Sequence, residues 1–127
     1  MTEPGLILVI EDSPTQAQRV STMIKMLCGL NVTLATDGIE ALRLVEVKRP
    51  DVIVLDVNLP GMDGYQLCKR LKRDPHTASI PIIMLTTAHT CRAATYGLEA
   101  GADDYIPKDV FATEQLIGTL RKHVDFH

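Results

Sequence analysis
The sequence predicts an α/β fold in which a parallel sheet carries helices on both faces. Three observations point there. Short apolar runs such as Leu6 to Ile10, Val52 to Leu55 and Ile80 to Leu85 are unbroken by polar residues, as expected of strands covered on both faces. Segments with apolar residues at helical spacing separate them. The two kinds of segment alternate five times along 127 residues, the pattern of a sheet built through right-handed crossovers. That length suits one domain, 1–127, able to bury roughly two thirds of its unfolded surface without staples. Periodicity leaves the order of the strands open.

Taken in order, Leu6 to Ile10 is the first strand and ends on Glu11 and Asp12. Ser13-Pro14-Thr15-Gln16 reads as a capping box with proline at the first helical position. Ala17, Val20, Ile24 and Leu27 supply that helix's apolar stripe, and Gly29 is placed to end it. Asn31 to Thr36 alternates weakly and suits a sheet edge. Asp37 and Glu40 start a second helix, with Leu42 and Val45 as its stripe and Pro50 as its stop. Val52 to Asp56 is the third strand.

In the third helix, Tyr65 to Arg73, one face carries Leu67, Cys68 and Leu71, and the basic run Lys69 to Arg73 reads as a solvated face. Asp74-Pro75 closes it. The fourth strand, Ile80 to Leu85, tolerates Pro81 only near its start and stops at Thr86-Thr87. An alanine-rich helix follows from about Thr90 to Ala100, interrupted by Gly97. Asp104 to Ile106 is a short fifth strand, and Leu116, Ile117, Leu120 and Val124 mark a terminal amphipathic helix.

Composition narrows the function classes. A net charge of -3 leaves no electrostatic footprint for nucleic acid or anionic membrane, so neither is expected as a direct partner. The apolar runs fall far short of the about 18 residues needed to span a bilayer, and the N-terminus lacks a signal-peptide pattern, so a cytoplasmic location is expected. Cys28, Cys68 and Cys91 form no CxxC pair and read as core or near-surface thiols. His76, His89, His123 and His127 have no ligand spacing, and Met23, Met26 and Met84 read as packing.

The informative residues stand at the strand ends. Strand one ends in Glu11-Asp12, strand three in Asp56, strand four in Thr86, and strand five just before Lys108. In open α/β sheets, ligands bind beyond the carboxyl ends of the strands. A lone strand-end aspartate is more often a helix cap, and Asp37 is read as one. Glu11, Asp12, Asp56, Thr86 and Lys108 arriving at one edge reverse that reading. Three converging carboxylates repel unless a cation neutralises them. Ligands that are all oxygen select a hard ion, and a site with few protein ligands suits Mg²⁺ better than Ca²⁺. A carboxylate beside Mg²⁺ and opposite an ammonium can attack a phosphoryl group to give an acyl phosphate, with Lys108 and a threonine hydroxyl on the phosphoryl oxygens.

The chain resembles the receiver domains of two-component response regulators from Ile7 to about Val124. The motifs that carry the resemblance are VIEDSP at Val9 to Pro14, VLDVNLPGMDG at Val54 to Gly64, MLTT at Met84 to Thr87 and GADDYIPK at Gly101 to Lys108. It implies a flavodoxin-like, doubly wound five-stranded sheet of order 2-1-3-4-5 with five helices, an order for which chemotaxis receivers are a standing example. It implies a signalling module that catalyses only its own phosphorylation and dephosphorylation; a single receiver domain over 1–127 with no output domain is expected, either a stand-alone regulator or a piece of a larger regulator or hybrid kinase.

The resemblance further makes Asp56 the phosphoacceptor and gives Mg²⁺, with Mn²⁺ as its expected substitute, to Asp12, Asp56 and the backbone carbonyl of Asn58, with Glu11 helping through water. Lys108 then pairs with the phosphoryl group, Thr86 is the switch hydroxyl, Thr87 lies beside the phosphoryl group and Tyr105 is the aromatic that turns inward. The implied donor is a phosphohistidine on a sensor histidine kinase or a histidine phosphotransfer protein. A downstream protein is expected on the face of strand four, helix four, strand five and helix five, and a homodimer on phosphorylation.

Two positions depart from the family pattern. Asp109 follows Lys108 where the family has proline, and a trans peptide is expected there, since a cis bond before a non-proline residue costs about 2.5 to 4 kcal/mol. Thr87 replaces a smaller residue and is expected to slow small phosphodonors. Two rival readings remain. Asp56-Val57-Asn58 resembles the nucleophilic stretch of haloacid-dehalogenase-like phosphohydrolases, although Asn58 stands where they have an acid. Asp109 and Thr87 also suit a receiver-like interaction module that is never phosphorylated.

Overall fold
The unbroken apolar runs become the strands of one sheet because each has two faces to bury. The computed structural model describes residues 5–57, 59, 61–86, 97–108 and 112–124. Its elements are β1 (Leu6–Ile10), α1 (Pro14–Cys28), β2 (Asn31–Ala35), α2 (Gly38–Val47), β3 (Val52–Asp56), α3 (Gly64–Arg73), β4 (Ile82–Thr86), α4, described over residues 97–99, β5 (Asp104–Pro107) and α5 (Ala112–His123). All strand pairs are parallel, in the order β2-β1-β3-β4-β5. This is the expected flavodoxin-like order, with the weak strand β2 at one edge.

Strand residues sort onto the two faces with a period of two. Leu8, Ile10, Ile53, Leu55, Ile82 and Met84 pack with Ala41, Val45, Leu67 and Leu71 of α2 and α3. Ile7, Val9, Val52, Val54, Ile83 and Leu85 pack with Ile24, Cys28, Leu116 and Leu120 of α1 and α5. Every residue of β1, β3 and β4 is buried. Among the described residues, no helix is long and apolar enough to cross a membrane.

Helix ends follow the expected chemistry. Ser13, Asp37 and Asp63 cap α1, α2 and α3 by accepting the backbone N–H of Gln16, Glu40 and Gln66. Gly29 ends α1 at φ 67°, the left-handed conformation glycine adopts at least cost.

Three sequence readings are corrected by the packing. The buried stripe of α1 is Ala17, Ser21, Ile24 and Cys28, so Leu27 lies off it and is 56% exposed. Met26, expected to pack, is 79% exposed. Lys72 leaves the solvated face assigned to it: its ammonium donates to the carbonyls of Ala78 and Ile80 and to Asp103 Oδ2. The loop after α3 supplies the two carbonyls, and the residue before β5 supplies the carboxylate. Cys28 and Cys68 are buried as expected, and burial pushes the Cys68 thiol up to about 11. Cys91, His89, His127 and most of the predicted fourth helix lie outside the described residues.

Candidate functional site
Parallel pairing brings the carboxyl ends of β1, β3, β4 and β5 to one edge, and backbone bonds extend the register past each strand. Glu11 N–H donates to Ala35 O at 3.0 Å, Val57 N–H to Leu85 O at 3.2 Å and Lys108 N–H to Thr86 O at 2.7 Å. Asp56 pairs in register with Leu85, and Thr86 with Pro107. Position along the strands, rather than any local motif, therefore gathers Glu11, Asp12, Asp56, Thr86 and Lys108.

Glu11, Asp12 and Asp56 each present a carboxylate oxygen within 4.8 Å of the others. Glu11 and Asp56 are buried at 4% and 5% exposure, while Asp12 is exposed. The Lys108 ammonium stands 3.2 Å from Glu11 Oε2 and 3.2 Å from Asp56 Oδ2. Burial, and then a hydrogen bond with Asp56, push the Glu11 carboxyl from the ordinary 4.5 up to about 7, against the pull of Lys108 and of the Ser13 N–H. One ammonium thus leaves the three carboxylates incompletely neutralised. The donor set is all oxygen, without histidine or cysteine, and fits a hard divalent cation.

Thr86 is 1% exposed at the end of β4. Tyr105 is half-buried against the core, and its ring packs over Gly97, where an added Cβ would lie 2.9 Å from Tyr105 Cδ2. This gives Gly97 a packing reason for interrupting a helix. Asn58, Thr87 and Asp109, with the peptide bond after Lys108, lie outside the described residues.

Sequence reasoning missed three polar contacts. Gln16, read only as part of a capping box, accepts a hydrogen bond from Lys108 Nζ at 3.1 Å through Oε1. His123, given no role, places Nε2 2.9 Å from Asp104 Oδ2 and joins α5 to β5. Lys72 reaches Asp103 across 31 residues of sequence, and Asp103 Oδ2 also accepts the Ile82 N–H at 2.8 Å. No spacing rule announces pairs so far apart in the chain.

The sequence profile of the response regulator receiver domain matches residues 7–121. The chain belongs to this family. Among curated proteins, the transcriptional regulator RpaA of Synechocystis, named as DNA-binding, is 40% identical over 115 residues, which are 91% of this chain and 47% of that protein. The receiver chain spans about half the length of the curated relatives it matches.

Among solved structures, the chemotaxis protein CheY4 of Vibrio cholerae has a TM-score of 0.87 at 33% identity, covering 96% of this chain and 100% of that one. The receiver domain of the sensor histidine kinase PA1611 of Pseudomonas aeruginosa has a TM-score of 0.85 at 33% identity, covering 95% and 98%, and was solved with a magnesium ion coordinated in its active site cleft. The present receiver domain shares their fold.

Proposed function
We propose that this receiver domain is the phosphoacceptor of a two-component phosphorelay, with Asp56 as the residue phosphorylated. The observation that carries the reading is the gathering of Glu11, Asp12 and Asp56 within 4.8 Å, with the Lys108 ammonium 3.2 Å from two of them.

In the proposed reaction an Asp56 oxygen attacks the phosphorus of a phosphohistidine on a histidine kinase or phosphotransfer protein. The new P–O bond forms as the P–N bond breaks, and the imidazole nitrogen keeps the electron pair. Water later attacks the same phosphorus, restoring the carboxylate and releasing inorganic phosphate and a proton. Mg²⁺, or Mn²⁺ in its place, would be held by Asp12, Asp56 and the Asn58 carbonyl, with Glu11 acting through water. Its contribution is to neutralise the carboxylates and the phosphoryl oxygens. Lys108 supplies the opposing charge to the transferred group. Thr86 offers a hydroxyl to it, and Thr87 narrows access for small donors.

The charge added at Asp56 biases a two-state element in which Thr86 and Tyr105 move together. The output surface is the face of β4, α4, β5 and α5, which would take a downstream protein or, when phosphorylated, a second copy. A cytoplasmic location belongs to the same proposal.

The test is labelling with acetyl phosphate, and with phosphorylated kinases, in the presence and absence of Mg²⁺. Stoichiometric, Mg²⁺-dependent label that vanishes in Asp56→Asn supports the reading. Repeated turnover of small phosphate esters would instead make the protein a phosphohydrolase, and no label under any donor would leave an unphosphorylated interaction module.

A further inference from the structure
We propose that Gln16 is a positioning residue that holds the Lys108 ammonium in place for phosphoryl transfer, an inference that rests on the reading of Asp56 as phosphoacceptor. A lysine ammonium has three hydrogens to donate. Here three acceptors meet it: Glu11 Oε2 at 3.2 Å, Asp56 Oδ2 at 3.2 Å and Gln16 Oε1 at 3.1 Å. Two of these are carboxylates of the site, and the third is a neutral amide from the first turn of α1.

The local chemistry explains why Gln16 is free for this. In a capping box, the side chain of the third helical residue turns back to the N–H of the cap residue. Half of that box forms, since Ser13 Oγ accepts the Gln16 N–H at 3.4 Å. The other half is taken over by Glu11, whose Oε1 accepts the Ser13 N–H at 3.2 Å. The Gln16 amide, displaced from the capping role, reaches Lys108 across the mouth of the groove between α1 and α5.

Lys108 needs such a hold. Its side chain is a flexible stem with 23% of its surface exposed, anchored at the backbone by the bond to Thr86 O. On phosphorylation, the bond from its ammonium to Asp56 must pass to a phosphoryl oxygen. A neutral acceptor on the α1 side keeps the ammonium from swinging into solvent during that exchange, without adding a charge that competes with the phosphoryl group. A carboxylate at the same place would compete.

The experiment compares wild type with Gln16→Met, which keeps length but removes the acceptor, and Gln16→Glu, which adds charge. Phosphorylation by acetyl phosphate is followed at saturating Mg²⁺. Both substitutions are expected to lower the maximal rate constant by about three- to tenfold, and Gln16→Met, which adds no charge, is expected to leave unfolding stability and Mg²⁺ affinity unchanged. In a Lys108→Met background, Gln16→Met is expected to have no further effect, because the coupling runs through the ammonium.

A second readout needs no activity. Acylation of Lys108 in the metal-free, unphosphorylated protein, followed by peptide mass spectrometry, should be faster in Gln16→Met than in wild type. Equal acylation in wild type and Gln16→Met, or equal phosphorylation in all three proteins, overturns the proposal. If wild type takes no phosphoryl group at all, the reading of Asp56 fails, while the acylation rates still report whether Gln16 holds Lys108.

Discussion

Glu11 and Asp56 are both nearly shut off from solvent, with a carboxylate oxygen of each within 4.8 Å of the other and the Lys108 ammonium 3.2 Å from each. Burial, and then the neighbouring Asp56 carboxyl, make Glu11 hold its proton more tightly folded than unfolded, moving it from 4.5 to about 7. Between those values the folded state binds the extra proton, so stability falls as pH rises. The contribution is fully present below pH 4.5 and lost on passing pH 7, up to about 3 kcal/mol. Chemical denaturation of metal-free protein from pH 4.5 to 8 should show this loss, and Glu11→Gln should show much less. Mg²⁺ above pH 7 should restore stability to wild type by replacing the proton as counter-charge; an equal pH slope in wild type and Glu11→Gln counts against the pair.

Gly64 fixes the approach of α3 to the end of β3. A Cβ on Gly64 would meet Val57 Cα at 2.6 Å and Asp56 O at 2.7 Å, both backbone atoms that cannot swing aside. The Gly64 N–H also donates to Val57 O at 2.7 Å. Gly64→Ala should therefore cost about 3 kcal/mol or more by forcing the helix away from the strand end. It should also slow labelling at Asp56, measurable at a temperature where the variant remains folded. Gly61→Ala, at φ 77° with nothing among the described residues within 4 Å, meets backbone strain and should cost about 1 kcal/mol.

How far this was legible in the sequence depends on the range of each interaction. Unbroken apolar runs identify β1, β3 and β4 because every residue in them is buried, although burial on both faces leaves the strand bounds open, and β4 runs from Ile82 to Thr86 where Ile80 to Leu85 is expected. Helix α1 was harder. Leu27 and Cys28 are adjacent and both apolar, and only the angle at which the helix meets the sheet decides that Cys28 goes in. Strand ends could be read as a site because Glu11, Asp12, Asp56, Thr86 and Lys108 are each tied to a strand terminus. The contacts of Gln16 with Lys108, Lys72 with Asp103 and His123 with Asp104 could not, since in each the fold brings together residues distant in the chain.

Lys72 is an internal staple. Its ammonium joins α3 to the Ala78 and Ile80 carbonyls and to Asp103, which in turn accepts the first N–H of β4. Lys72→Met keeps the stem and leaves two carbonyls and a carboxylate without the cation. Because the group is only partly buried, the expected cost is about 1 to 3 kcal/mol. Lys69→Met, on the exposed side of the same helix, should change stability by no more than about 0.5 kcal/mol. Equal denaturation midpoints for the two variants would contradict the staple.

Gly97 and Tyr105 set two effects against each other. A methyl group on Gly97 raises helix propensity by about 1 kcal/mol. The same methyl would stand 2.9 Å from Tyr105 Cδ2 and 3.5 Å from Met84 Sδ, both side chains that can yield, at a cost of about 1 kcal/mol or more. Gly97→Ala should thus leave the unfolding free energy within about 1 kcal/mol of wild type while displacing the ring. The ring resonances of Tyr105, assigned by their loss in Tyr105→Phe, should shift in Gly97→Ala. Because β5 pairs Tyr105 beside Met84 and carries on to Lys108, a displaced ring should also alter the response of that face to beryllofluoride. Unshifted ring resonances would mean that the aromatic does not pack over Gly97 in solution.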